Sequence, residues 1–297
     1  MYPILHIGNI EIILYYAISF IGSYVVMFYN DLRIKKKRRP IGYRTMIVRA
    51  KLSSSNGIIS KYLMKNLSIL ESESFTMAYI SFTFANWIFG DLIGTGANYF
   101  GSLFMIPIIW IFLSVYYGSN PLKQLDFIST CLPLYLIFVK LSCYASGCCA
   151  GIPWEYGPYN NAYEQNQVPV QLIEAFWGLL IFIILIKYRK NAKTGTVFPL
   201  YVILYCATRF FSEFLRHEEN VLWILKTYHI LCLIGIVFGI IFWIVVAKYR
   251  DRVNAYYDRK YDETEEYLDK IYKEEKNKKR IARVMKTKQN AKNKKAK

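Results

Sequence analysis

The run Ile10-Glu11-Ile12-Ile13-Leu14-Tyr15-Tyr16-Ala17-Ile18-Ser19-Phe20-Ile21-Gly22-Ser23-Tyr24-Val25-Val26-Met27-Phe28 is followed, four residues later, by Arg33-Ile34-Lys35-Lys36-Lys37-Arg38-Arg39. An apolar run of this length is what a helix needs to cross the hydrocarbon core of a bilayer. A cleaved signal peptide carries its positive charge ahead of the apolar run. Here no Lys or Arg precedes Ile10, and the basic cluster comes after. That asymmetry predicts a first membrane helix with its N-terminus outside and its C-terminal end in the cytoplasm.

Six further apolar runs lie downstream, at Phe75–Gly90, Phe100–Tyr116, Phe127–Tyr144, Val170–Ile186, Val197–Phe214 and Leu222–Ala247. The second and fourth runs contain Ser, Thr or Lys. None of the runs alternates apolar and polar residues as barrel strands do. The expected fold is therefore all-α and polytopic, with about seven transmembrane helices, N-out and C-in. The division follows: residues 1–247 form the transmembrane domain, with 30–74 as a basic cytoplasmic loop, and 248–297 form a charged cytoplasmic tail.

The distribution of charge tests this topology. The segments expected inside, 29–74, 117–126, 187–196 and 248–297, hold 11, 1, 4 and 18 Lys plus Arg, against 38 in the whole chain. The outer segments 91–99 and 145–169 hold none. An odd number of crossings from an outer N-terminus puts the basic tail inside, where its charge places it. The tail lacks an aromatic–basic motif for nucleic acid, so no nucleic-acid partner is expected. It suits a solvated helix or an extension near the anionic inner leaflet. The stretch Ile58–Leu70 suits a short basic helix lying on the inner surface.

Six cysteines do not imply a disulfide framework here. Cys131, Cys206 and Cys232 lie in apolar runs as small core residues. Cys143, Cys148 and Cys149 cluster at the outer end of the fourth run. An outward-facing disulfide leaves one of the three over, and no His stands at metal-ligand spacing, so no metal is expected.

Charges inside a membrane are costly, and each invites a functional hypothesis. Lys140 falls about four residues inside the outer end of the fourth run, roughly 6 Å along a helix. Arg209, Glu213 and Arg216 are spaced by four and three, which puts them on one helical face. Gln171 and Glu174 share a face at the start of the fifth run. Asp91 and Asn98 sit at the outer ends of the second and third. All share one depth, that of the outer phospholipid phosphates. Interhelical salt bridges, such as Glu213 with Lys140 or Glu174 with Arg209, would use the same residues. An Arg fork also matches a phosphate in geometry and charge. The loop Gly147-Cys148-Cys149-Ala150-Gly151-Ile152-Pro153-Trp154-Glu155-Tyr156-Gly157-Pro158 is rich in Gly and Pro. It fits either a lid over such a site or a set of interfacial anchors.

Four segments together resemble the prolipoprotein diacylglyceryl transferase family. They are Pro3–Ile12, Lys140–Gly151 with its Gly147-Cys148-Cys149-Ala150-Gly151 ending, Pro169-Val170-Gln171-Leu172-Ile173-Glu174, and Arg209-Phe210-Phe211-Ser212-Glu213-Phe214-Leu215-Arg216. The last is the most specific. The likeness is clear over 98–240 and weaker over 1–30.

The resemblance implies transfer of the diacylglyceryl group of phosphatidylglycerol to the lipobox cysteine thiol of prolipoproteins at the cell membrane, with the active face toward the outer leaflet. The products are a thioether and glycerol phosphate, and no cofactor is implied. Arg209, Glu213 and Glu174 would be catalytic. Lys140, Gln171, Arg216, Cys148, Tyr99 and Asn98 would contact substrate, with Lys140 in the signature Arg position. The chain departs from the family pattern at Phe100-Gly101-Ser102, where His-Gly-Gly or Tyr-Gly-Gly is usual. It departs again at Val168, where a His often stands, and in the second run, which lacks an Arg. Those departures also fit a catalytically impaired relative that binds lipid or a lipoprotein precursor.

Overall fold

A computed structural model describes residues 4–7, 10–36, 99–216 and 225–295. The second expected helix, Phe75–Gly90, lies outside the described residues, as do Asp91, Asn98, the Ile58–Leu70 stretch and most of the basic loop. The first departure from expectation is at the N-terminus. Strand β1 (Ile4–Ile7) pairs antiparallel with β2 (Ile10–Ile13), in the register Ile4↔Ile13 to Ile7↔Ile10. The first helix, α1 (Leu14–Lys36), starts four residues later than the apolar run and continues into the basic cluster. Three of the four residues in β2 are Ile, whose branched Cβ favours a pleated surface over a helix.

The third run is α2 (Tyr99–Tyr117), with Pro107 inside it. The fourth run is two helices, α3 (Pro121–Ser129) and α4 (Cys131–Ser146), meeting at Thr130. Pro133 supplies no N–H to the turn before it, which loosens the helix there. Arg33 of α1 serves the junction from outside: it donates to the Phe127 carbonyl at 2.9 Å, and its guanidinium lies 4.1 Å from the Phe127 ring centroid. The fifth and sixth runs are α5 (Val170–Tyr188) and α6 (Val197–Glu213). The seventh is the first third of α7 (Thr227–Lys295), one helix of 69 residues that carries the tail with it.

Four of the described spans, Tyr99–Tyr116, Pro121–Ser146, Val170–Tyr188 and the start of α7, are long and apolar enough to cross a membrane. Helix α4 packs between α1 and α5, and α6 packs between α5 and α7. Small residues allow the close approaches. A Cβ on Gly239 of α7 would lie 2.8 Å from the Ile203 side chain of α6. The core is built on Phe198, Tyr201, Phe100, Leu103, Leu125 and Ile181. Large apolar side chains also cover the outside: Phe112, Phe176 and Ile244 are 68%, 55% and 64% exposed. That is the face a lipid-solvated bundle presents.

The two ends of the bundle differ. At one end Asp126 of α3 accepts hydrogen bonds from the Val197 N–H (2.9 Å), the Phe198 N–H (3.3 Å) and the Gly195 N–H (2.5 Å). A carboxylate thereby meets the orphan donors and the positive dipole end of α6. Asn120 caps α3 at the same end and donates to Asn254 Oδ1 of α7 at 2.8 Å. The opposite end gathers the C-termini of α4 and α6 and the N-termini of α5 and α7, and the buried charges lie there.

Candidate functional site

Glu174, one turn into α5, is 4% exposed and is the hub of that end. Its Oε2 accepts from Lys140 Nζ of α4 at 2.7 Å and from Arg216 Nη2 at 2.8 Å. Its Oε1 accepts from Arg209 Nη1 of α6. Arg209 turns its other nitrogen, Nη2, to Glu213 Oε2 at 2.8 Å, and Arg216 Nε lies 3.8 Å from the same oxygen. The helical spacing of 209, 213 and 216 does bring the three side chains to one inward face. Lys140 pairs with Glu174, while the Glu174–Arg209 pair is the one anticipated. Arg209 also lies 5.3 Å from the centroid of the Tyr228 ring.

A fourth cation joins the cluster. Lys226, 6% exposed, donates from Nζ to the carbonyls of Glu213 (2.9 Å) and Arg216 (2.5 Å), closing the C-terminal end of α6. Its own N–H is received by His229 Nδ1 at 3.0 Å, and among the described residues His229 Nε2 is buried without a partner. Sequence gives little sign of Lys226 or His229, because a side chain that caps backbone carbonyls needs no partner of a particular residue type.

Gln171, one turn ahead of Glu174, donates to the Cys148 carbonyl at 2.6 Å, while among the described residues its Oε1 is buried without a donor. Glu213 Oε1 is likewise buried without one among the described residues. A narrow cleft between α4, α5 and α6 reaches the cluster, lined by Lys140, Glu174, Trp177, Thr208, Arg209 and Ser212. Tyr99 sits behind it, its ring 4.7 Å from that of Tyr205, which also lines the cleft, and its hydroxyl against that of Tyr201. Asn98 lies outside the described residues.

The segment between α4 and α5 lies over the cluster. Gly151 bridges antiparallel to Arg216, with Ile152 N–H on the Leu215 carbonyl at 2.9 Å and Gly151 N–H on the Val168 carbonyl at 3.0 Å. A Cβ on Gly151 would come within 2.6 Å of the Leu215 carbonyl oxygen and 2.8 Å of that of Val168, so only glycine allows this approach. Short strands β3 (Tyr159–Asn160) and β4 (Gln165–Asn166) complete the segment. Asn160, fully buried, donates to the Gly147 carbonyl at 2.8 Å and to Gln167 Oε1 at 2.9 Å. Hydrogen bonds with the Cys143 and Cys148 thiols hold the Cys149 thiol below its ordinary range; Lys140 and Arg216 push the same way and burial opposes them.

At one end of its bundle this multi-helix membrane protein gathers four cations, Lys140, Arg209, Arg216 and Lys226, around the carboxylates of Glu174 and Glu213. The sequence model described as Prolipoprotein diacylglyceryl transferase matches residues 3–245, and the chain belongs to that family. Among its relatives, the phosphatidylglycerol–prolipoprotein diacylglyceryl transferase of Clostridioides difficile (strain 630) is 40% identical over 81 residues, covering 27% of this chain and 33% of the relative. That of Clostridium tetani (strain Massachusetts / E88) is 33% identical over 130 residues, 40% of this chain and 51% of the relative. That of Campylobacter jejuni (strain RM1221) is 28% identical over 192 residues, 60% of this chain and 69% of the relative. The chain thus spans a third to a half of the first two relatives' length.

Proposed function

We propose that this chain transfers the diacylglyceryl group of phosphatidylglycerol to the lipobox cysteine of prolipoproteins. The thiol sulfur bonds to the glyceryl carbon, the carbon–oxygen bond to phosphate breaks, and the electron pair leaves on glycerol phosphate. The thiol proton is released.

The observation that carries the reading is the charge imbalance. Lys140, Arg209, Arg216 and Lys226 face Glu174 and Glu213, which leaves two positive charges without a carboxylate among the described residues. Uncompensated charge is costly in a lipid-surrounded interior. A phosphodiester head supplies one negative charge, and phosphate oxygens suit the guanidinium fork. The leaving phosphate gains charge as the bond breaks, so preorganised cations favour the transition state over the bound lipid.

The neutral groups fit the same ligand. Among the described residues Gln171 Oε1 and Glu213 Oε1 are buried acceptors without donors, and the head of phosphatidylglycerol offers two hydroxyls. Buried acceptors cost free energy until they are paired. Glu174, whose oxygens already receive three cations, holds Arg209, Arg216 and Lys140 in place. Both guanidinium groups would turn their remaining N–H donors to the phosphate.

Seven crossings with the N-terminus outside would put the cluster at the depth of the outer leaflet, residues 1–247 in the membrane and 248–297 in the cytoplasm. The test is complementation of a strain depleted of its own transferase, read by lipidation of a reporter lipoprotein. Restored lipidation is expected. An abundant, membrane-inserted protein that leaves the reporter unmodified would favour the lipid-binding relative that Val168 and Phe100-Gly101-Ser102 also fit.

A further inference from the structure

The reaction proposed above needs a thiolate, yet Glu174 is saturated with cations, and the family's usual His position is Val168. A group of nucleophilic side chains stands beside the cluster. Cys143, on the last turn of α4, and Cys148 and Cys149, just past its Gly147 cap, bring their Sγ atoms within 4.8 Å of one another. Cys131, Cys206 and Cys232 are buried in the helix packing instead.

The backbone imposes this convergence. Gly147 ends α4 with φ +78, and its carbonyl is held by Asn160. Gln171 holds the Cys148 carbonyl. Cys149 has φ 58, in the left-handed region that a residue with a Cβ rarely adopts. Three thiols are therefore gathered by constraints that lie in the main chain and on two other segments.

Thiolate sulfur is a soft donor that selects Zn2+ or Cu+ over hard cations. With metal–sulfur bonds of ~2.3 Å, the sulfurs of a tetrahedral site stand roughly 3.8 Å apart. Small side-chain rotations would reach that spacing. No His, Asp, Glu or fourth Cys joins the three among the described residues. Three protein ligands with an open fourth position is the arrangement of a catalytic zinc site, whereas structural sites are closed by four. Three thiolates around Zn2+ carry one net negative charge; Lys140 stands one turn before Cys143 on α4, and Arg216 pairs with Gly151, two residues past Cys149, so both cations lie beside the site.

We propose that Cys143, Cys148 and Cys149 form a three-thiolate site for a soft metal ion, Zn2+ foremost, whose open fourth position takes the acceptor cysteine thiol. The metal site stands by itself; the role of its open position rests on the transferase reading. Loading exchanges three thiol protons for the metal ion. A thiol that coordinates the metal is deprotonated, so the acceptor enters as thiolate and its proton goes to solvent. The thiolate attacks the glyceryl carbon next to the cation cluster. The metal keeps its oxidation state throughout. The thioether product is a weaker ligand than the thiolate and gives way to water.

The test uses the full chain in detergent, stripped of metal, kept reduced by a phosphine and titrated with Co2+. The expected result is saturation at one equivalent, with thiolate-to-metal charge-transfer bands and the strong visible bands of tetrahedral Co2+. A peptide bearing a lipobox cysteine should shift the visible bands, and its Cys-to-Ser analogue should not. Cys149→Ser should weaken Co2+ binding at least tenfold. The triple Ser variant should abolish the bands while Cys131, Cys206 and Cys232 remain. Absence of charge-transfer bands in the parent protein, or their survival in the triple variant, would overturn the site. So would a disulfide among the three in protein isolated with a thiol-blocking reagent. Bands that the thiol peptide leaves unmoved would overturn the open position. None of these readouts needs phosphatidylglycerol or turnover, so failure of the transferase reading, seen in complementation, is told apart from failure of the site.

Discussion

At the residue scale the cluster turns on how Arg209 divides its guanidinium: Nη1 on Glu174, Nη2 on Glu213, and the ring of Tyr228 nearby. A Lys keeps the charge but cannot make both contacts and still present donors to a phosphate. Each charge-assisted hydrogen bond is worth about 1.5–3 kcal/mol. Arg209→Lys should therefore lower transferase activity by about 100-fold with membrane abundance retained, as measured by lipidation per unit of protein. Full activity in an abundant Lys variant would reduce the cluster to a set of helix staples. Glu174 behaves differently. Removing it leaves three buried cations without their shared carboxylate, and breaking a buried pair costs about 3–5 kcal/mol. Glu174→Ala should therefore lower abundance and thermal stability in detergent as well as activity. Much of this was legible in the sequence. Spacings of four and three put 209, 213 and 216 on one face, and the shared depth of Lys140, Gln171 and Glu174 pointed to the same end. Of the two pairings the sequence suggested, Glu174 with Arg209 is found, whereas Lys140 meets Glu174 and not Glu213, a choice between two carboxylates that spacing along the chain cannot make. Lys226 escaped for a different reason: its ligands are the carbonyls of Glu213 and Arg216, which every residue type provides.

The elements that carry these side chains are fixed by contacts far from the cluster. Asp126 of α3 receives three N–H groups at the start of α6, so it sets where the helix bearing Arg209 begins. Loss of a side-chain cap of this kind costs about 1–2 kcal/mol. Asp126→Ala should lower the melting temperature in detergent by several degrees and leave activity at low temperature near that of the parent, because Asp126 lies at the opposite end of the bundle. Gly151 has the converse profile. Gly151→Val would push a side chain into the Leu215 and Val168 carbonyls. It should detach the 147–169 segment, with at least tenfold loss of activity and faster proteolysis there, while the helical content by circular dichroism stays unchanged. The Gly and Pro content of this segment announced a shaped loop, and its glycine made the approach to Arg216 possible. Hydropathy did not foresee the break at Thr130 or the hairpin at Ile4–Ile13. An apolar run has the same average whether Pro133 interrupts it or branched Ile residues take a strand.

For the whole molecule, the distribution of positive charge decides which side of the membrane each end should face. The described structure puts Lys140, Glu174, Arg209 and Lys226 at one end of the bundle, and Asp126, Gly195 and Asn120 at the other. The Lys187–Lys193 turn, with its four basic residues, connects α5 to α6 at the Asp126 end. Helix α7 leaves the bundle at that same end, past Asn254 and Asp258, which meet Asn120 and Lys123 of α3 at 2.8 and 2.7 Å. It then runs on to Lys295, carrying 17 of the 18 Lys and Arg of the tail. From Lys248 that is about 70 Å of helix at 1.5 Å per residue. Hydropathy could place the start of this helix but not its end, because charged helix formers continue a helix as readily as they end an apolar run. Positive charge at membrane ends is retained on the cytoplasmic side, so the two basic features and the far end of the bundle from the cluster should all face the cytoplasm. Trypsin offers a direct check, since the tail is dense in its cleavage sites. Added to intact spheroplasts, it should leave the chain at full length. Added to inverted membrane vesicles, it should remove the tail, while the helices bearing Glu174 and Arg209 stay protected in the membrane. Cleavage of the tail from outside intact spheroplasts would reverse the orientation and move the cation cluster to the inner leaflet.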